Sequence, residues 1–322
     1  MEVRDLKTYY YTEAGVVRAV DGVSFSLERG RALGLVGESG CGKTTVALSL
    51  LRLVPPPGRI VGGSILLDGM DIMRMDEESL RRIRWKRIAL VFQGAMNALN
   101  PVIKVGDQIV EAITLHERGV ERRDAWRRAE ELLEMVGIER SRASSYPFEF
   151  SGGMRQRAVL AMALALNPDL LILDEPATAL DVVVQAQIIN LLRELRERLN
   201  LTMLLITHDL SLVTEVCHDV AVMYAGKLVE YGDTRTIYKG SKHPYTQGLI
   251  QCFPRVDEPR RRLYSIPGQP PDLISPPPGC RFHPRCPYAW DICRAEEPLY
   301  IEVEPAHRAA CHLNTRGRMV SG

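Results

Sequence analysis

The stretch that most constrains this chain lies between residues 31 and 48. An apolar run from Arg31 to Val36 enters Gly37-Glu38-Ser39-Gly40-Cys41-Gly42-Lys43-Thr44-Thr45, and Val46-Ala47-Leu48 follow. This reads as a buried strand, a glycine loop and the start of a helix. The glycines let successive backbone N–H groups curl round a phosphate, Lys43 offers a point charge to the outer phosphates, and the Thr44 hydroxyl suits a magnesium ion. The helix N-terminus adds its own positive end. Gly37, Ser39, Gly40, Cys41, Gly42, Lys43, Thr44 and Thr45 are therefore candidate phosphate contacts. Cys41 is read as a small residue that fits the loop, not as a reactive thiol.

Three further apolar runs, Ile88–Phe92, Leu170–Leu173 and Leu201–Thr207, are rich in Leu, Ile and Val with little alternation, as strands covered on both faces should be. Between them lie helix-like stretches. Val182–Arg198 carries Ile188, Leu191, Leu192 and Leu195 at the spacing of one helical face. This alternation predicts an α/β sheet, in which ligands bind at the carboxyl edge of the strands.

The residues at those edges are informative. Leu170–Leu173 ends in Asp174-Glu175-Pro176. Two carboxylates beside a buried strand are costly unless used. Asp174 is a candidate magnesium ligand and Glu175 a candidate general base for an attacking water. Ile88–Phe92 ends in Gln93, able to touch both metal and water, and Leu201–Thr207 ends in His208-Asp209. The basic run Arg81–Arg87, with Trp85 inside it, is read as a solvated helix leading into the second strand.

Phe150-Ser151-Gly152-Gly153-Met154-Arg155-Gln156-Arg157 precedes the apolar helix Ala158–Leu166. Ser151 can cap that helix, and the two glycines bring bare N–H groups to its start. This is a second anion site in one chain. A single nucleotide does not need two such sites from one subunit; two chains packed head-to-tail would use both.

The order of phosphate loop, Gln93, Ser-Gly-Gly, Asp174-Glu175, Ala179-Leu180-Asp181 and His208 resembles the ATPase subunit of an ABC transporter, over residues 3–240. The resemblance implies a RecA-like α/β P-loop core, an antiparallel β subdomain near the N-terminus and an inserted helical subdomain at about 95–165. It implies two ATP molecules sandwiched in a dimer. Thr44, Gln93 and Asp174 would serve Mg2+, His208 would steady the γ-phosphate, and Ser151, Gly152 and Gly153 would complete the partner's site beside the Asp181 loop. The family signature usually starts Leu-Ser-Gly-Gly-Gln, whereas Phe-Ser-Gly-Gly-Met stands here; the serine and glycines that contact phosphate are kept. By position in the family, Tyr10 of Tyr9-Tyr10-Tyr11 is the adenine-stacking aromatic.

Residues 241–322 differ in character. They hold 13 of the 20 prolines and read as a small loop-rich extension that needs a staple to hold one shape. His243-Pro244-Tyr245-Thr246 and Pro276–Pro287 resemble the C-terminal extension of oligopeptide/dipeptide importer ATPases, a branch that also includes nickel and some oligosaccharide importers. Cys280, Cys286, Cys293 and Cys311 fall within 32 residues, and clustered thiolates suit an iron–sulfur cluster or zinc. Their spacing matches no standard ferredoxin or zinc-finger pattern. Resemblance to members of the branch with these cysteines implies a 4Fe–4S cluster; zinc and free thiols remain open.

Lys plus Arg is 41 and Asp plus Glu 40, which argues against a nucleic-acid binder. The longest uncharged stretch, Ile88–Ile103, is shorter than a membrane span and contains Gln93, Asn97, Asn100 and Pro101. The first residues lack an apolar signal core. The expectation is a peripheral ATPase at the cytoplasmic face of the cell membrane. It would act with two transmembrane permeases, a homologous second ATPase and an extracytoplasmic solute-binding protein, in uptake of oligopeptides or dipeptides. The rival reading is an ABC ATPase with an iron–sulfur module acting on ribosomes or nucleic acid.

Overall fold

Ala32–Val36 is buried at every position, and this strand anchors the phosphate loop. The computed structural model describes residues 1–94, 97–178, 180–252 and 265–315. The chain divides into two compact units, one of Met1–Leu27, Leu33–Met73 and Ile206–Gly322, the other of Glu28–Ala32 and Arg74–Leu205.

The first unit opens with β1 (Glu2–Thr12) and β2 (Gly15–Ser26), an antiparallel pair. β3 (Ala32–Val36) leads through the glycine loop into α1 (Lys43–Leu50). β4 (Gly58–Leu67) and β5 (Met70–Asp71) then complete a four-stranded antiparallel sheet in the order β2-β1-β4-β5. Its inner face is apolar: Val3, Leu6, Val20, Val23 and Ile65 are at most 1% exposed.

The second unit begins with α2 (Glu77–Ile83), capped by the Asp76 carboxylate accepting from Ser79 N–H. The basic run Arg81–Arg87 is helical only to Ile83. Trp85 takes a left-handed φ of 68° and its indole N–H donates to the Met162 carbonyl, which turns the chain into β6 (Ile88–Val91). Helices α3 (Val105–His116), α4 (Arg122–Met135) and α5 (Gly152–Ala163) pack on one another. β7 (Leu170–Asp174) runs parallel to β6. It is followed by α6 (Val182–Leu199), whose apolar stripe is buried, and β8 (Thr202–Thr207), which lies beside β7.

Back in the first unit, α7 (Leu210–Val216) precedes β9 (Asp219–Tyr224), parallel to β3, and β10 (Lys227–Asp233) turns back antiparallel on β9. α8 (Thr234–Gly240), α9 (Pro244–Cys252) and α10 (Asp291–Ala295) lead to the hairpin of β11 (Tyr300–Glu304) and β12 (His307–Ala310). β12 pairs antiparallel with β10, so the proline-rich segment supplies two strands to the sheet that carries β3. A half-buried Arg281 guanidinium also joins the carboxylate of Asp21 and the carbonyl of Ala225. No helix among the described residues is long and apolar enough to cross a membrane.

Candidate active site

The first unit holds Gly37 to Thr45, Tyr10, His208 and the four clustered cysteines; the second holds Gln93, Ser151, Gly152, Gly153, Asp174, Glu175 and Asp181. Ala179 lies outside the described residues.

Residues 37–42 turn the chain from β3 into α1. Gly42 has a φ of 105°, and a Cβ there would stand 1.9 Å from the Ala19 carbonyl oxygen, so no other residue fits. α1 carries no side-chain cap, which leaves its first N–H groups for an anion. Lys43 is only 7% exposed. Its ammonium donates to the carbonyls of Gly37 at 2.6 Å and Glu38 at 3.0 Å, which holds the charge over the loop. Thr44 and Ser39 face outward. Burial pushes the Cys41 thiol up.

Of the three tyrosines, Tyr9 is tied down: its hydroxyl donates to Asp21 at 2.6 Å, and burial with that bond pushes it up to about 12. Tyr10 pairs with Val17 of β2 and Gly58 of β4 and is half-buried, while Tyr11 is the most exposed. His208 follows β8 and is exposed; the next residue, Asp209, caps α7 by accepting from Ser211 N–H at 2.8 Å.

In the second unit, Asp174 ends β7 at 1% exposure. Glu175 then turns out of the strand with a left-handed φ of 51°. Such a backbone costs a non-glycine residue about 1–3 kcal/mol. Each of the four buried Leu and Ile side chains of β7 contributes roughly 1.5–3 kcal/mol, so the strand easily holds the strained turn. The Thr178 hydroxyl donates to Glu175 Oε2 at 2.6 Å. Gln93 stands exposed, two residues beyond β6.

Ser151 is the N-cap of α5, its hydroxyl accepting from Met154 N–H at 3.3 Å. The helix starts at Gly152, earlier than the apolar run at Ala158 suggests, because the cap offsets the poor helix propensity of the glycines. Asp181 caps α6 by accepting from Val184 N–H at 3.0 Å. The two helix starts touch: a Cβ on Gly153 would sit 2.6 Å from Val184 Cγ1. Ser151, Gly152, Gly153 and Asp181 thus form one edge.

Cys280, Cys286, Cys293 and Cys311 are unbonded thiols that line one small cavity with Trp290 and His312. Cys280 N–H donates to the Cys293 carbonyl at 2.9 Å, pinning two of them. Burial pushes Cys280 up to about 11 and Cys311 up to about 12. Among the described residues, no group of three or more His, Cys, Asp or Glu stands at the spacing that surrounds a single metal ion.

Sequence reasoning missed Thr178, although its place three residues after Glu175 is a usable signal. It also missed Tyr245 and Arg285, which reach the phosphate loop from the C-terminal segment.

Comparisons with known proteins bear on the family. The family profile "ABC transporter" matches residues 20–178, and "Oligopeptide/dipeptide transporter, C-terminal region" matches residues 229–293. The chain is 44% identical to the dipeptide transport ATP-binding protein DppD of Escherichia coli, over 99% of this chain and 98% of that one. It is 45% identical to the oligopeptide transport ATP-binding protein OppD of Bacillus subtilis, over 95% and 87% respectively. A solved structure of the ATP-binding cassette MJ0796, dimeric in a post-hydrolysis state with ADP and Pi, superposes with a TM-score of 0.65. It is 26% identical, covering 73% of this chain and 98% of that one. The chain belongs to the ABC transporter family, as an ATP-hydrolysing subunit of the branch that carries the oligopeptide/dipeptide transporter C-terminal region.

Proposed function

We propose that this chain drives uptake of oligopeptides or dipeptides as the ATPase subunit of an importer, working at the cytoplasmic face of the membrane in a head-to-tail ATPase dimer. The observation that carries the proposal is the pairing of an uncapped phosphate-loop helix with a second glycine-rich helix start at Ser151 in the same chain. One chain's loop and its partner's Ser151, Gly152 and Gly153 would enclose each ATP. Gly37, Ser39, Gly40, Cys41, Gly42 and Thr45 line the phosphates, Lys43 exchanges its carbonyl partners for phosphate oxygens, and Tyr10 stacks on the adenine. Thr44, Gln93 and Asp174 carry oxygen donors of the kind that hold Mg2+ and would serve it, its charge then neutralising the β- and γ-oxygens. Glu175, held by Thr178, takes the proton of the attacking water; His208 holds the γ-phosphate; Asp181 lies at the dimer seam.

Two permeases, a homologous second ATPase and an extracytoplasmic binding protein complete the assembly. The relatives' names support peptides over nickel or oligosaccharides. The reading that places the chain on ribosomes or nucleic acid gains no support, since the near-full-length relatives are transport ATPases. The four thiols share a cavity and thiolates are soft ligands. We assign them to a 4Fe–4S cluster, with zinc as the alternative, either of which would require the cysteines to draw closer than they stand here; its role would be to staple a loop-rich segment.

The test is recovery of the tagged chain from detergent-solubilised membranes of its host, with mass spectrometry of what is retained. Two integral membrane proteins and a second ATPase are expected. Ribosomal proteins in a membrane-free complex would overturn the proposal.

A further inference from the structure

The phosphate loop contains a carboxylate. Glu38 follows Gly37 directly, in a loop whose proposed ligand is a triphosphate. An unpaired carboxylate there would repel that ligand and compete for Lys43. The structure gives Glu38 a partner from far along the chain. Arg285 Nη1 donates to Glu38 Oε2 at 2.6 Å and Nη2 to Oε1 at 2.9 Å, the bidentate geometry that is strongest for such pairs.

This is not a loose surface pair. The Arg285 side chain is 5% exposed. Its Nε donates to the Pro267 carbonyl at 2.7 Å, and its guanidinium carbon lies 5.8 Å from the centre of the Tyr224 ring. The backbone of Glu38 is held as well. Its N–H donates at 2.8 Å to the hydroxyl of Tyr245, a side chain with no exposure. Tyr224, Tyr245 and Phe282 pack with ring centroids 4.6–5.4 Å apart, so the arginine and the tyrosine hydroxyl sit on one rigid aromatic support. Both the carboxylate and the amide of one loop residue are therefore fixed by residues beyond 240. Arg285 immediately precedes Cys286 in the chain.

We propose that Arg285 is a positioning residue for ATP binding: it neutralises Glu38 and turns it away from the triphosphate, so that the loop presents amides and Lys43. The C-terminal segment thereby sets the ATP affinity of the phosphate loop. This rests on the reading of that loop as the ATP site.

The experiment is a double-mutant cycle in the full-length chain. It is read by titration with a fluorescent ATP analogue and by KM and kcat for ATP in the assembled transporter. Arg285→Ala is expected to raise Kd and KM on the order of tenfold or more, with kcat changed less than about twofold. In the Glu38→Gln background, which lacks the charge that Arg285 offsets, the same Arg285→Ala change is expected to move KM less than about threefold. Arg285→Lys, which keeps charge but loses the fork, falls between. An unchanged KM in Arg285→Ala overturns the proposal. So does an equal loss in both backgrounds, because that marks general damage to the C-terminal segment. Lys43→Ala serves as the control for the loop itself: if it leaves ATP affinity intact, the ATP-site reading fails, separately from the role of Arg285.

Discussion

Glu175 leaves β7 with a left-handed backbone and accepts a 2.6 Å hydrogen bond from the hydroxyl of Thr178. The strained turn carries Glu175 out of the strand, and the Thr178 hydroxyl engages its Oε2. Glu175→Gln keeps shape and removes basicity. Phosphate release should fall by a factor of about 10²–10⁴, with ATP affinity within about threefold of wild type. Thr178→Val should lower kcat more mildly and leave KM alone. Steady-state hydrolysis beside equilibrium ATP binding separates these effects; a Glu175→Gln enzyme that turns over normally removes Glu175 from the chemistry.

Gly153 reports on the second helix start. Any side chain there meets Val184 Cγ1 at 2.6 Å, so Gly153→Ala must displace the Val184 side chain or shift the start of α5. If this edge serves the nucleotide of the partner subunit, one chain alone should bind ATP as before. Hydrolysis by the assembled pair should drop at least about tenfold, since the backbone N–H groups of a displaced helix start no longer aim at the phosphate and a misplaced charge-stabilising donor costs that much or more. Loss of ATP binding in the isolated chain would instead place the edge in its own site.

Protein purified without oxygen should carry about four iron and four sulfide per chain if the four cysteines hold the cubane cluster. Cys293→Ser should lose that iron and lower the unfolding midpoint. Zinc with neither iron nor sulfide shows the alternative ligation, and neither metal shows plain thiols. The raised thiols of Cys280 and Cys311 add a sign: metal capture must displace protons, so apparent affinity should increase with pH.

What was legible from residues alone follows a physical pattern. β3, β6, β7 and β8 end within two residues of their apolar runs, because a strand covered on both faces has no other composition open to it. The places of Asp174 and Glu175 at the end of β7 and of the glycine loop before α1 were legible because their spacing in the chain is their geometry. The turn at Trp85 was not, since it depends on an indole bond to Met162, 77 residues away. β11 and β12 hid among prolines, and their pairing with β10 is long-range. The Arg285–Glu38 pair joins residues 247 apart, with no local signal at either end.

The C-terminal segment should owe much of its attachment to Glu230. This β10 residue is fully buried. Its Oε1 accepts from His307 Nε2 of β12 at 2.8 Å and from the backbone N–H of Lys242, and its Oε2 accepts from the N–H of His243 at 3.2 Å. One carboxylate therefore fastens both the start of α9 and the hairpin strand. Glu230→Ala strands two backbone donors and a buried imidazole at once, and should cost roughly 3–5 kcal/mol in urea unfolding. His307→Ala removes one partner and leaves the two N–H bonds, so it should cost less. Because α9 carries Tyr245, which holds the amide of Glu38, Glu230→Ala should also raise KM for ATP. A Glu230→Ala protein that unfolds within about 1 kcal/mol of wild type would show that the strand pairing alone holds the segment.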